Sequence, residues 1–193
     1  EDNLRGEERS GWFMPVIFYA IAAVLKVMPL SEISARLPSV IVGLVDIVLL
    51  FFIVRRMFKR ESLALVAAAM LALTPAHFIL SRYALDYLYP APFVLGWLLC
   101  LLVYLETRRL GALFGATLLL GAGFYSYIAA VVLMPVFLLF TAALLFSKRK
   151  PLRDYAAAAA GFGLPLVMLV PWLIAHPTAF ADTANRYDLY STS

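Results

Sequence analysis

Cysteine, histidine and charge are all scarce in this 193-residue chain. It has one cysteine, Cys100, and two histidines, His77 and His176. A lone thiol excludes an internal disulfide and any site built on paired cysteines. No Walker A loop, no GxGxxG after a strand and no HExxH occurs, which excludes the common soluble nucleotide, dinucleotide and zinc-protease sites. Charged residues are only 15% of the chain, whereas hydrophobic residues are 64%. A soluble domain is about half apolar and about a quarter charged. With a mean hydropathy of +0.90, the chain reads as an all-α integral membrane protein. The net charge of +4 then reports loops that face the cytoplasm, and no nucleic-acid partner is expected. The opening EDNLRGEERSG is polar and acidic, unlike a cleavable signal peptide. With no initiator Met and a polar end, a fragment of a longer protein is expected.

Seven apolar runs follow. The first, Trp12 to Leu30, contains Pro15 and Lys26 and only just reaches the ~20 residues that a span requires. Then come Ser39 to Val54, Leu63 to Leu80, Tyr89 to Leu105, Leu110 to about Tyr125, Ile128 to Phe146 and Tyr155 to Ala175. Pro38 favours a helix start just after it, and Thr74-Pro75 predicts a kink near the end of the third run. Gly111, Gly115, Gly121 and Gly123 in the fifth run suit close helix approach in lipid, and the alanines of 156–160 suit a tightly packed helix.

Ten of the sixteen Lys and Arg fall in three connectors, Arg55–Arg60, Arg108–Arg109 and Lys148–Arg153, with only Glu61, Glu106 and Asp154 beside them. Placing these connectors in the cytoplasm lets runs two to seven alternate without conflict. If the first run spans, residues 1–11 are cytoplasmic despite four acids against two arginines; a juxtamembrane helix at the outer interface, which leaves them outside, is the preferred of the two readings. The expected architecture is a transmembrane bundle of about six spanning helices plus that one. Residues 1–38 then lie outside with the juxtamembrane helix, 39–175 form the bundle, and 176–193 lie outside again. No sheet is expected, because open strand edges do not survive in lipid.

The stretch HFILSRYALDYLY, His77 to Tyr89, carries the chemistry. Arg82 and Asp86 are opposite charges four residues apart, sharing a face if the loop is helical. They either pair with each other to fix the loop, or act on a ligand, Arg82 meeting a phosphate with its planar fork and Asp86 orienting a metal or an acceptor. His77 reads as a hydrogen-bonded interfacial residue. Arg36, in ARLPS, is external and either snorkels or joins the site. Asp46 lies mid-run, where an acid is costly and faces a partner or a cavity. Tyr125, Ser126 and Tyr127 line a cavity or sit in the aromatic belt. His176 is a weak metal candidate, having no visible cluster around it.

The order SEISARLPSVIVGLVDIVLLFFIVRRMFKR, ALTPAHFILSRYALD, GAGFYSYIAAVVLMP and PWLIAHPTAF resembles the membrane glycosyltransferases of the GT-C superfamily. It is closest to the family-39 group of protein mannosyltransferases and aminoarabinose lipid A transferases. RLPS followed by a helix and RR-x-F, together with SR-x-x-x-D, are the most specific parts. The resemblance implies a polyprenyl-phosphate-linked sugar donor with its tail in the bilayer, and a protein, lipid or glycan acceptor. It implies inverting transfer at a cavity facing the periplasm or exterior of a bacterial inner membrane. It matches Asp86 to the acid of the family's second external loop and Arg82 to its arginine. Arg36 joins Arg82 on the donor phosphate, and Tyr83, Tyr87, Tyr125 and Tyr127 line the cavity. His176 falls where some members hold a metal; the cofactor is open, with a divalent metal among the candidates. The family's catalytic base belongs upstream of residue 1, and Glu1 and Asp2 are too close to Pro15 to match it. This chain alone is therefore expected to be inactive. A transporter or flippase fragment and a non-catalytic membrane subunit are the competing classes. The first requires inverted repeats, of which the sequence shows none, and the second leaves Arg82 and Asp86 as a structural pair.

Overall fold

A computed structural model describes residues 15–175. Nine α-helices follow one another in this range: α1 Pro15–Leu25, α2 Glu32–Phe58, α3 Glu61–Leu73, α4 Pro75–Leu80, α5 Pro90–Thr107, α6 Leu110–Gly123, α7 Ala130–Ser147, α8 Leu152–Leu166 and α9 Leu169–Ala175. A single 3-10 turn, Asp86–Leu88, precedes α5, and no strand occurs among the described residues. The expected all-α bundle is what forms. Among the described residues, three segments are long and apolar enough to cross a bilayer: Glu32–Phe58, Asp86–Thr107 and Ala130–Ser147. The other expected spans are shorter or interrupted. The third run is cut into α3 and α4, and α6 has 14 residues. Helix α1 has 11 residues, about 16 Å at 1.5 Å per residue, roughly half of a ~30 Å hydrocarbon core.

Helix α2 starts earlier than the sequence suggests. Ser31 is extended (φ −153°, ψ 166°) and caps it. The Ser34 amide donates to Ser31 Oγ at 3.2 Å, and the Ser31 amide donates to Ser34 Oγ at 2.8 Å. This reciprocal box satisfies two end donors and outweighs the preference of Pro38 for a first turn. Pro38 lies inside the helix, where it cannot donate to the Ser34 carbonyl. Helix α2 thus runs unbroken through residues 38 and 39. The opposite happens at Thr74-Pro75. There the expected kink is a full break: Thr74 is extended (φ −65°, ψ 120°), and its hydroxyl donates to the Met70 carbonyl at 2.7 Å.

The core sits among α5, α6, α7 and α8. Trp97, Leu101, Leu113, Leu120, Met134, Leu145 and Phe162 are among its buried members. The Trp97 indole donates to Thr141 Oγ1 at 3.0 Å, tying α5 to α7. Helices α6 and α8 approach most closely at Gly121 and Gly161. A Cβ at Gly121 would collide with the Phe162 carbonyl, and one at Gly161 with Thr117 Oγ1 and the Phe114 carbonyl. Gly111 and Gly115 meet nothing within 4 Å, so only the later half of the glycine-rich run serves close packing. Of the alanines 156–160, Ala158 alone is buried. Helices α1 to α4 pack on this core through α2, whose buried stripe is Ser34, Pro38, Ser39, Gly43, Asp46 and Ile53.

The basic connectors gather at one end. Arg55 pairs with Glu61 at 2.7 Å, and Arg56 with Glu106 at 2.5 Å, joining the ends of α2 and α5. The Tyr104 hydroxyl donates to the Asp154 carboxylate, joining α5 to α8. Lys59, Arg108 and Arg149 have φ of 54°, 58° and 48°. That is the left-handed conformation in which glycine is usual after a helix.

Candidate functional site

At the opposite end, segments remote in sequence converge. Helix α4 ends at Leu80, and residues 81–85 form turns and a bend before the 3-10 turn. The loop is not helical at Arg82, so Arg82 and Asp86 do not share a helix face. They form no ion pair either. The Arg82 guanidinium instead lies over the Phe78 ring, 3.9 Å from its centroid. This is close enough for a cation–π contact. Arg82 is exposed, Asp86 half-buried at the start of the 3-10 turn, and Tyr83 and Tyr87 are exposed.

Arg36 reaches this loop from the first turns of α2. Its guanidinium stands 5.8 Å from the Tyr83 ring centroid and pairs with Glu32 at 2.5 Å. Both partners of that pair are largely exposed, 46% and 73%; such pairs contribute little and exchange readily with a better anion. From the other side, Tyr127 in the α6–α7 turn meets Tyr87 edge-on, with centroids 5.4 Å apart. Arg36 with Tyr83, and Tyr87 with Tyr127, are thereby brought together from three segments, and Arg82 and Asp86 lie in the same loop as Tyr83 and Tyr87. Tyr125 is engaged elsewhere: its hydroxyl donates to the Pro165 carbonyl at 2.9 Å, linking the turn to α8. Ser126 is buried and donates to the Gly123 carbonyl at 2.5 Å. His176, like Glu1 and Asp2, lies outside the described residues.

Sequence reasoning left Asp46 without a partner, and the fold supplies His77. Nε2 of His77 stands 3.5 Å from Oδ2 of Asp46, with the side chains 9% and 1% exposed. The two meet because Gly43, one turn before Asp46, lets α4 lie against the α2 backbone. A Cβ there would stand 2.8 Å from Ser81 Cβ and 3.5 Å from His77 Cε1. The signal in the sequence was the acid in mid-span with a glycine three residues before it. Neither feature identifies the opposing residue.

Among the described residues, no three His, Cys, Asp or Glu side chains stand together to hold a metal ion. The arrangement offers two guanidinium groups, a carboxylate and several aromatic faces at one end of an apolar bundle. Guanidinium groups suit an anionic ligand group, and the exposed aromatic faces give a ring something to pack against.

No curated protein and no solved structure matches the chain at a significant level. Residues 13–174 match the family described as dolichyl-phosphate-mannose-protein mannosyltransferase. With most of its length inside that match, the chain belongs to this family of GT-C membrane glycosyltransferases.

Proposed function

We propose that the protein takes part in moving a sugar from a polyprenyl-phosphate donor to an acceptor on the non-cytoplasmic face of the membrane. The observation that carries this reading is the loop holding Arg82 and Asp86, met by Arg36 at Tyr83 and by Tyr127 at Tyr87, at the end of the bundle away from the basic connectors. Family membership supports a lipid-linked sugar as the donor. On this reading the basic end lies in the cytoplasm and the mouth faces the periplasm or exterior of a bacterial inner membrane. Residues 1–38 and 176–193 then belong to external loops.

The donor's tail stays in the bilayer and its phosphate meets Arg82, with Arg36 exchanging Glu32 for a phosphate oxygen. Tyr83, Tyr87 and Tyr127 pack against the sugar or the first isoprene units. Tyr125 supports the turn from the α8 side. The acceptor's hydroxyl or amine attacks the sugar carbon from the face opposite the phosphate. A bond from acceptor to carbon forms, the bond to the phosphate oxygen breaks, and the configuration inverts. Asp86 orients the acceptor, and the base that takes its proton is assigned to a segment upstream of residue 1. The two guanidinium groups stabilise the charge that builds on the departing phosphate.

The test is a transfer assay on the complete protein in proteoliposomes, with polyprenyl-phosphate sugars as donors. Asp86→Asn removes the negative charge and keeps the shape. Turnover is expected to fall by about 10²-fold or more, with the thermal midpoint near wild type. Wild-type turnover in this variant would return Asp86 to a structural role. Absence of transfer with every lipid-linked sugar would remove the donor assignment itself.

A further inference from the structure

Helix α4 has six residues and is cut from α3 at Thr74-Pro75, so the hydrogen-bond ladder of α3 does not set its position. Its contact with α2 helps to seat it. Ser81 Cβ and the His77 ring rest against the backbone at Gly43, and His77 faces Asp46 one turn deeper. Both side chains are more than nine-tenths buried, and neither oxygen of Asp46 nor Nε2 of His77 has a hydrogen bond to another group of the protein. Their 3.5 Å separation is longer than a direct hydrogen bond of about 2.7–3.2 Å. A small rotation of either side chain closes it. Inside a bilayer, each of these groups is costly without the other. The pair therefore favours one placement of α4 on α2 over its neighbours. Arg82 follows Ser81 directly, and Asp86 lies four residues beyond it.

We propose that Asp46 and His77 form a buried pin between α2 and α4 that sets where the Arg82–Asp86 loop stands at the mouth. They are positioning residues for the transfer reaction: they touch neither donor nor acceptor and act through the loop. This rests on the reading that the loop carries the donor contact and the acceptor-orienting acid. A pair with a purely structural role would contribute stability and nothing else, and a double apolar replacement separates the two roles.

The experiment uses the complete protein with Cys100 replaced by alanine and a reporter thiol introduced by Ala84→Cys, in the exposed loop. Three variants are compared: Asp46→Leu, the double Asp46→Leu/His77→Leu, and the exchange Asp46→His/His77→Asp. Read-outs are the thermal midpoint in detergent, the labelling rate of the reporter by a membrane-impermeant maleimide, and kcat and KM measured without the reporter. The single variant strands a buried imidazole and is expected to lose stability. The double variant removes both polar groups and is expected to keep a wild-type midpoint. Even so, its loop labels severalfold faster, its KM for the donor rises and its kcat falls, by up to ~10²-fold for a shift of about 1 Å. The exchange variant is expected to bring labelling and kinetics back toward wild type. Labelling and kinetics unchanged in the double variant would overturn the proposal, as would an exchange variant that behaves like the double. If labelling follows the expected pattern while the wild type transfers no sugar, the pin stands and the transferase reading fails.

Discussion

The closeness of α2 and α4 at Gly43 makes Gly43→Ala a sharp perturbation. The added Cβ would stand 2.8 Å from Ser81 Cβ, whereas carbon atoms pack at about 3.5–4.0 Å. Helix α4 must therefore retreat by roughly 1 Å, or the two backbones must slide past each other. Two energies oppose each other. Alanine in a helix interior gains about 1 kcal/mol over glycine, and overpacking costs about 1–3 kcal/mol. The net loss is about 0–2 kcal/mol, too little to unfold the bundle. The displacement itself passes into the loop, because Ser81 is the clashing residue and Arg82 is the next one. A shift of about 1 Å at a reacting centre costs up to ~10²-fold in rate. Gly43→Ala is thus expected to lower kcat/KM strongly with a modest change in thermal midpoint. Adding Ser81→Gly removes the opposing Cβ. It also removes the hydrogen bond that Ser81 Oγ donates to the Phe78 carbonyl at 3.0 Å, at a cost of about 1 kcal/mol. The double variant is therefore expected to recover rate better than stability. Transfer kinetics and a detergent melt of the single and double variants measure both. Near-wild-type turnover in Gly43→Ala would refute the idea that this contact sets the loop.

Two further expectations concern the basic end. Tyr104→Phe removes the hydroxyl that donates to Asp154, a buried residue whose Oδ1 has no hydrogen bond and stands 3.6 Å from Arg153 Nε. It is expected to cost about 1–3 kcal/mol, and Tyr104→Phe/Asp154→Leu to cost less than the single change; equal melts for wild type and Tyr104→Phe would deny the latch any weight. Ser147→Cys, at the end of α7, is expected to resist impermeant thiol reagents added from outside. Efficient labelling there would invert the orientation proposed for the whole bundle.

The bundle was readable because bilayer thickness forces apolar runs of a set length, and basic clusters punctuate them. What failed were boundaries where local rules competed. Pro38 looked like a first turn, but the Ser31–Ser34 box, equally local, won. Four-residue spacing made Arg82 and Asp86 look like a pair, but that inference needed a helix, and residues 81–85 are turns and a bend. Arg82 found the nearer Phe78 ring. Three contacts rest on packing between remote segments, which no local pattern encodes: Asp46 with His77, Arg36 with Tyr83, and Tyr87 with Tyr127. Residue types singled out the loop. Its geometry came from α2 and from the α6–α7 turn.

Lys59, Arg108 and Arg149 turn the chain at the ends of α2, α5 and α7 in a backbone shape that suits glycine better. Each forgoes about 1 kcal/mol that glycine would recover. Each also contributes a unit charge that biases how the nascent chain threads into the bilayer. Replacing all three with glycine would give a sturdier folded bundle and a less certain insertion, so at these sites the demands of biogenesis and of folding pull against each other.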